Sequence, residues 1–122
     1  MTDRELLELA AKAAGAGALV WGDVWNVGGD LIDCTDMPYI RSGQSDEGDV
    51  YWNPLTDDGD AMRLAVKLRM MIDYIERGCK AGHIVATAQG RVAAYEPRDP
   101  DPYVATRRAI VRAAAEIARS MK

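Results

Sequence analysis

Residues 51 to 68 read YWNPLTDDGDAMRLAVKL, and Asn53, Asp57, Asp58 and Asp60 set four oxygen-bearing side chains between an aromatic pair and an amphipathic run. A hard divalent cation needs several such oxygens converging on one point. The spacing departs from the calcium loop, in which alternate acidic or amide residues lead to a glycine and a glutamate follows. A helix that begins after Thr56 uses the same residues differently. Asp57, Asp58 and Asp60 then fan around its first turn, where carboxylates meet the positive end of the helix dipole. Pro54 holds Asn53 away from helical dihedrals, and Asn53 with Trp52 fixes the turn by side-chain hydrogen bonding and burial. Asn53, Pro54, Thr56, Asp57, Asp58 and Asp60 are therefore read as a structural motif that starts a helix, and no metal is expected.

Other chemistry has less support. His83 is the only histidine, and no reactive serine or second histidine stands near it to suggest a triad. Cys79 lies four residues earlier, but that spacing in a loop fixes no nucleophile–base geometry. Gly15-Ala16-Gly17 and Gly28-Gly29 are too short and wrongly placed for a phosphate loop. No catalytic residue or cofactor is assigned, and an enzyme is not expected. Trp21, Trp25, Tyr51 and Trp52 are the richest contact material. Core packing is the commoner use of such rings, but partly exposed ones anchor interfaces or stack on bases. Trp25, Tyr39 and Arg41 are close enough in sequence to combine stacking with phosphate recognition. Together with Tyr51 and Trp52 they form the candidate binding set.

At 122 residues the chain fits one domain with a single core. Its 48% apolar and 28% charged residues exclude a disordered composition. The net charge of −4, with acids and bases interspersed, does not suggest the cationic face that a duplex binder needs, so direct nucleic-acid binding is not expected. Cys34 and Cys79 lack CxxC spacing and are read as free thiols in a reducing compartment. No apolar run approaches the roughly 20 residues of a membrane-spanning helix. The opening residues alternate Asp, Arg, Glu and Leu, unlike a targeting peptide. An intracellular protein follows.

The elements that position these residues begin with Thr2-Asp3-Arg4-Glu5, which has the form of a capping box. Leu6, Leu9, Ala10 and Ala13 then recur at helical spacing, and Gly15-Ala16-Gly17 ends a helix over 3–14. Residues 18–21 read as a strand that pairs with 31–34 across Gly28-Gly29-Asp30. RSGQSDEGD, residues 41–49, reads as a surface loop. After Thr56, Ala61, Leu64, Ala65 and Leu68 form one helical stripe. Its end is ambiguous: Met71, Ile72 and Ile75 extend the stripe toward Arg77, while residues 70–76 also alternate as a strand does. His83–Ala88 and Val92–Tyr95 read as a hairpin, and Asp101 with Pro102 caps a last helix over 102–120. That helix presents Tyr103, Ile110, Ala114, Ile117 and Met121 inward and Arg107, Arg108, Arg112 and Arg119 outward. Ala105, Ala109 and Ala113 run down another side, a stripe that either pairs with a symmetry mate in a homodimer flanked by Arg112 and Glu116 or merely stiffens the helix of a monomer.

TDRELLELAAKAAG at the start, WNPLTDDGDAMRLAVKL in the centre and ATRRAIVRAAAEIA at the end together resemble a group of small bacteriophage and prophage proteins. That group is similar in layout to the phage ABA-sandwich domain. The resemblance implies an N-terminal helix, a central helix begun by Asn-Pro-Leu-Thr-Asp, an antiparallel sheet and a C-terminal helix packed across it. It also implies that the central helix ends near Arg69 and that Met70–Glu76 is a strand, and it supplies no catalytic residue. The expectation is one α+β domain, 1–122: an antiparallel sheet of four or five strands with helices 3–14, 57–69 and 102–120 on both its faces. The functional expectation is a phage accessory protein in the host bacterial cytoplasm that binds a host protein or complex, for instance to inhibit a defence system in an anti-CRISPR-like way. The alternative is a protein that binds or sequesters a nucleotide signal.

Overall fold

The structure, a computed structural model, describes residues 2–15, 19–22, 24–33, 35, 37–40, 50–88 and 92–121. Arg41, Cys34 and the loop expected at 41–49 lie outside the described residues. In chain order the elements are α1 (Asp3–Ala14), β1 (Leu19–Trp21), β2 (Val24–Val27), β3 (Asp30–Asp33), β4 (Pro38–Ile40), β5 (Val50–Tyr51), α2 (Asp58–Lys67), β6 (Met71–Ile75), β7 (His83–Ala88), β8 (Val92–Pro97) and α3 (Pro102–Arg119). The class is α+β with antiparallel pairing, as expected. The strands do not form one sheet of four or five, however. They divide into β1-β4-β5, β2-β3 and β6-β7-β8.

Local turn chemistry explains that division. Gly28 and Gly29 both have positive φ, 61° and 92°, which suits a two-residue hairpin turn of the primed type. Such a turn pairs the residues that flank it directly, so Val27 meets Asp30 and Val24 meets Asp33. Residues 30–33 are thereby taken by β2, and β1 pairs instead with β4, Val20 opposite Tyr39. The pairing of 18–21 with 31–34 is corrected accordingly.

The helix boundaries follow from capping. Thr2 Oγ1 accepts the Glu5 amide at 3.1 Å, and Gly15, in the left-handed region, closes α1. Asp101 accepts the amides of Tyr103 and Val104 at the start of α3. The central ambiguity resolves in favour of the strand. α2 ends at Lys67 because Arg69 takes a left-handed conformation, φ 54°. The Arg69 amide bonds to the Val66 carbonyl and that of Met70 to the Ala65 carbonyl, a Schellman stop that turns the chain into β6.

α3 is the centre of the molecule. One side lies on β7 and β8, α1 runs along it, and α2 touches it. Among the described residues, fourteen of the twenty-two buried hydrophobic residues, prolines aside, are alanines, so the elements approach closely and the core has little room for rings. The helices sit on one face of β6-β7-β8, the face of Ile84, Ala86, Ala88 and Ala94, rather than on both. All three helical stripes are satisfied because α1 and α2 pack on α3. Ala105, Ala109 and Ala113, the stripe expected to meet a symmetry mate, are buried within the single chain. The expected homodimer seam is therefore not a surface. Tyr103 and Met121, expected inward, are exposed, whereas Arg107 is partly buried. Leu7, Ala11 and Ala14 join Leu6 and Ala10 on the buried side of α1, and Leu9 and Ala13 sit at its edge.

The Arg69 stop yields a test. A non-glycine residue in the left-handed region costs about 1–2 kcal/mol, partly offset when glycine loosens the unfolded chain by about 0.4–1 kcal/mol. Arg69→Gly should raise stability by roughly 0.5–1 kcal/mol, read as a higher midpoint in urea with an unchanged slope; a lower midpoint refutes this account of the helix end.

Candidate functional site

The central turn is built by its own polar side chains. Asn53 Oδ1 accepts the Leu55 amide at 3.1 Å, and the Asn53 carbonyl accepts the amides of Thr56 and Asp57. Asp57, rather than Thr56, is the N-cap of α2, its Oδ2 accepting the Asp60 amide at 2.8 Å. Asp60 is 7% exposed; its Oδ2 accepts the Asn53 amide at 2.9 Å and its Oδ1 accepts Arg63 Nη2 at 2.6 Å. Asp58 turns the other way, to Arg107 of α3 at 2.6 Å, and Arg107 Nε donates to the Leu55 carbonyl. Gly59 leaves the space for this: a Cβ there would stand 3.2 Å from both the Arg63 guanidinium and Asp57 Oδ2. Each of the three carboxylates thus holds a separate piece of the turn. Among the described residues no group of three or more His, Cys, Asp or Glu is placed to hold a metal ion. His83 Nδ1 lies 3.1 Å from the Lys80 carbonyl, which can only accept, so a hydrogen bond there has the Nδ1–H donating, and Cys79 is an exposed free thiol.

Two clefts flank this turn. The first, about 450 Å³, lies between the β4-β5 edge and the start of α2 and is lined by Met37, Pro38, Tyr51, Asn53, Asp57 and Arg63. The second, about 390 Å³, is bounded by the start of α1, Trp21 and Leu55. In it the Arg4 guanidinium sits 4.4 Å from the Trp21 ring centroid, and Trp21 Nε1 donates to Glu8 at 3.1 Å. Both volumes fall in the range of small-molecule sites.

The candidate binding residues are only partly brought together. Register places Tyr39 opposite Tyr51, with ring centroids 6.4 Å apart and an interplanar angle of 76°, an edge-to-face pair. Tyr51 is 62% exposed and lines the first cleft. Trp52, the next residue, points the opposite way and packs at the margin of the core. Trp25 stands on β2, in a different sheet from Tyr39, and Arg41 lies outside the described residues, so the Trp25–Tyr39–Arg41 group is not assembled. Of the rings weighed for the core, Tyr51 is outside it and two others are only partly covered. Trp21 and Trp52 are half-buried, and the alanine-lined interior explains why they stay there.

The surface that sequence reasoning missed is the β2-β3 ribbon. Every residue of β3 is exposed, Leu31 at 74%, and Val24, Val27 and Ile32 are exposed as well. Register puts Val24 and Leu31 on one face and Val27 and Ile32 on the other, so both faces carry apolar side chains. Asp30 and Asp33 lie on the same ribbon. The Thr35 hydroxyl at 2.6 Å and then the Thr35 amide at 2.9 Å donate to the Asp33 carboxylate and lower its pKa from the ordinary value, favouring the charged form. The charge is also less interspersed than the chain-wide balance suggests. Residues 13–62 contain ten Asp or Glu and one base, Arg41, whereas residues 63–122 contain twelve Lys or Arg and six acids. Counting by segment was the signal that could have marked this region.

No known protein family, characterised protein or solved structure matches the chain.

Asp60 should matter more than its partner. Asp60→Ala removes the acceptor of a part-buried amide and the anchor of Arg63, an expected loss of about 1–3 kcal/mol. Arg63→Ala removes a side chain that is 71% exposed and should cost under about 1 kcal/mol. Urea denaturation of both variants checks the order; a reversed order would show that the guanidinium, not the Asn53 amide, is what Asp60 secures.

Proposed function

We propose that the chain is a non-catalytic accessory protein of bacteriophage origin that acts in the host bacterial cytoplasm by binding a host protein, with the β2-β3 ribbon as the docking element. The observation that carries this reading is the exposed apolar set Val24, Val27, Leu31 and Ile32 on a ribbon rimmed by Asp30 and Asp33. Apolar patches with a polar rim are characteristic of protein–protein contact sites. The acidic rim selects a partner surface that is basic, as on proteins that handle nucleic acid. Interference with a host defence system, in an anti-CRISPR-like manner, is the most concrete form of such binding. The phage origin rests on the resemblance of the terminal and central segments, which is an associational argument. Among the described residues no helix is long and apolar enough to cross a membrane, which agrees with a partner reached in solution.

Affinity purification from the host, with wild type beside a Leu31→Asp/Ile32→Asp variant, tests it. Wild type should retain a host protein that the variant loses, while both melt at the same temperature. Recovery of the same proteins by both would remove the ribbon from the reading, and recovery of none above background would remove the reading itself.

The first cleft favours a second reading, a site for a small ligand. Its charged lining is Asp57, Asp60 and Arg63, and the guanidinium is already held by Asp60 at 2.6 Å and lies 3.8 Å from Asp57. That balance suits a neutral or cationic ligand better than a nucleotide phosphate. Thermal-shift screening of nucleotides beside amines distinguishes them, since a ligand at 100 times its Kd adds about 2.7 kcal/mol. A nucleotide shift would restore the signal-sequestering alternative; an amine shift would assign the cleft to cations.

A further inference from the structure

An antiparallel sheet covered on one face ordinarily turns polar residues outward on the other. The outward face of β6-β7-β8 does so only in part, with Asp73, Thr87, His83 and Tyr95 among apolar neighbours. Three rows cross it, set by the strand register: Met71, Thr87 and Ala93; Asp73, Val85 and Tyr95; Ile75, His83 and Pro97. Met71 is 70% exposed and Tyr95 39%, and among the described residues no helix packs on this face. The charges are placed at opposite edges of the middle row. Asp73 is exposed on β6, and the Lys80 ammonium sits 5.2 Å from the centroid of the Tyr95 ring on β8.

We propose that this face is the interface of a homodimer, two copies packing sheet on sheet about a two-fold axis parallel to β7. The axis lays β6 of one copy over β8 of the other, and the rows then complement one another. Met71 meets the small Ala93, Ile75 meets Pro97, and Val85 meets its own equivalent at the centre. Asp73 of each copy meets Tyr95 and Lys80 of the other, so the charge pair forms twice. A second copy is the occupant because the face is complementary to itself in size and in charge, as a two-fold contact requires. A face of three strands and about five residues is roughly 14 Å by 17 Å. That is about 240 Å² per copy in projection, well below the roughly 800 Å² per partner of a standard interface, so association should be weak and depend on concentration. The arrangement leaves the β2-β3 ribbon out of the contact, and it stands or falls independently of the partner proposed for that ribbon.

Sedimentation analysis over micromolar to high-micromolar concentration, with circular dichroism confirming the fold, tests it. Wild type should pass from monomer to dimer. Val85→Lys, a substitution at an outward position, should weaken association by more than about tenfold. Asp73→Lys and Lys80→Asp should each weaken it by about tenfold, and the double variant should return to within about threefold of wild type, because the swap re-forms both pairs. A wild type that stays monomeric throughout, a Val85→Lys protein that associates as wild type does, or a double variant no better than the single ones overturns the proposal.

Discussion

Everything else in the molecule depends on how closely its elements can approach α3. Alanine adds little buried area of its own, so a helix surfaced with Ala105, Ala109, Ala113, Ala114, Ala115 and Ala118 is stabilised by dispersion at short range, not by bulk. That works only when the facing elements are equally small. They are: Ala10 and Ala14 come from α1, and Ala86, Ala88 and Ala94 from the sheet. Close approach in turn brings the arginines at the rim of α3 within reach of their partners. Arg107 holds the central turn through the Leu55 carbonyl and Asp58, Arg108 joins Asp3 of α1 to Glu96 of β8, and Arg112 reaches Glu96 and the Tyr95 carbonyl. Exposed ion pairs contribute little each. Here they fix the angle at which each element meets the helix, and the two least exposed members, Arg107 and Glu96, sit where that angle is set.

The same constraint explains the surface. A core of short side chains has no pockets for rings, so Trp21, Trp52 and Tyr39 stay at its margin while Tyr51, Tyr74 and Tyr103 remain exposed. It also leaves the helices together on one side of β6-β7-β8, since α1 gains more from α3 than from the sheet. The exposed sheet face, the two clefts beside the central turn and the free ribbon all follow from one packing choice.

Local signals in the sequence were legible where a residue type has one structural use. Thr2, Gly15 and the Asp101-Pro102 pair mark helix ends by capping chemistry, and the Asn53–Asp60 segment could be read as a helix start because carboxylates near an N-terminus have a stabilising role of their own. The end of α2 was not legible in the periodicity, since Arg69 takes a conformation usually signalled by glycine, and only the resemblance put it near Arg69. The β1-β4-β5 sheet escaped because β1 finds β4 across an intervening hairpin, and no periodicity encodes a non-local pairing. The alanine stripe of α3 was misjudged for a subtler reason. A helix apolar on two sides is a buried helix, and assigning one side to a symmetry mate overlooked that α1 could cover it. The clefts were beyond reach, because they are formed by elements whose pairing was not known.

The ribbon is where fold and function part. A two-stranded antiparallel pair is marginal by itself in water, and Val24, Asn26 and Val27 of β2 and every residue of β3 are exposed. Its valines, Leu31 and Ile32 therefore contribute little to the stability of the domain, while each exposed apolar side chain adds to the tendency to self-associate. Lys or Glu at these positions would serve folding equally well, and the segment already carries acids beside them. Apolar residues that neither fill the core nor improve solubility are what the proposed docking role of the ribbon accounts for. The positive φ angles at Gly28 and Gly29 then acquire a purpose beyond closing a turn: they hold both apolar faces of the pair in register for that contact.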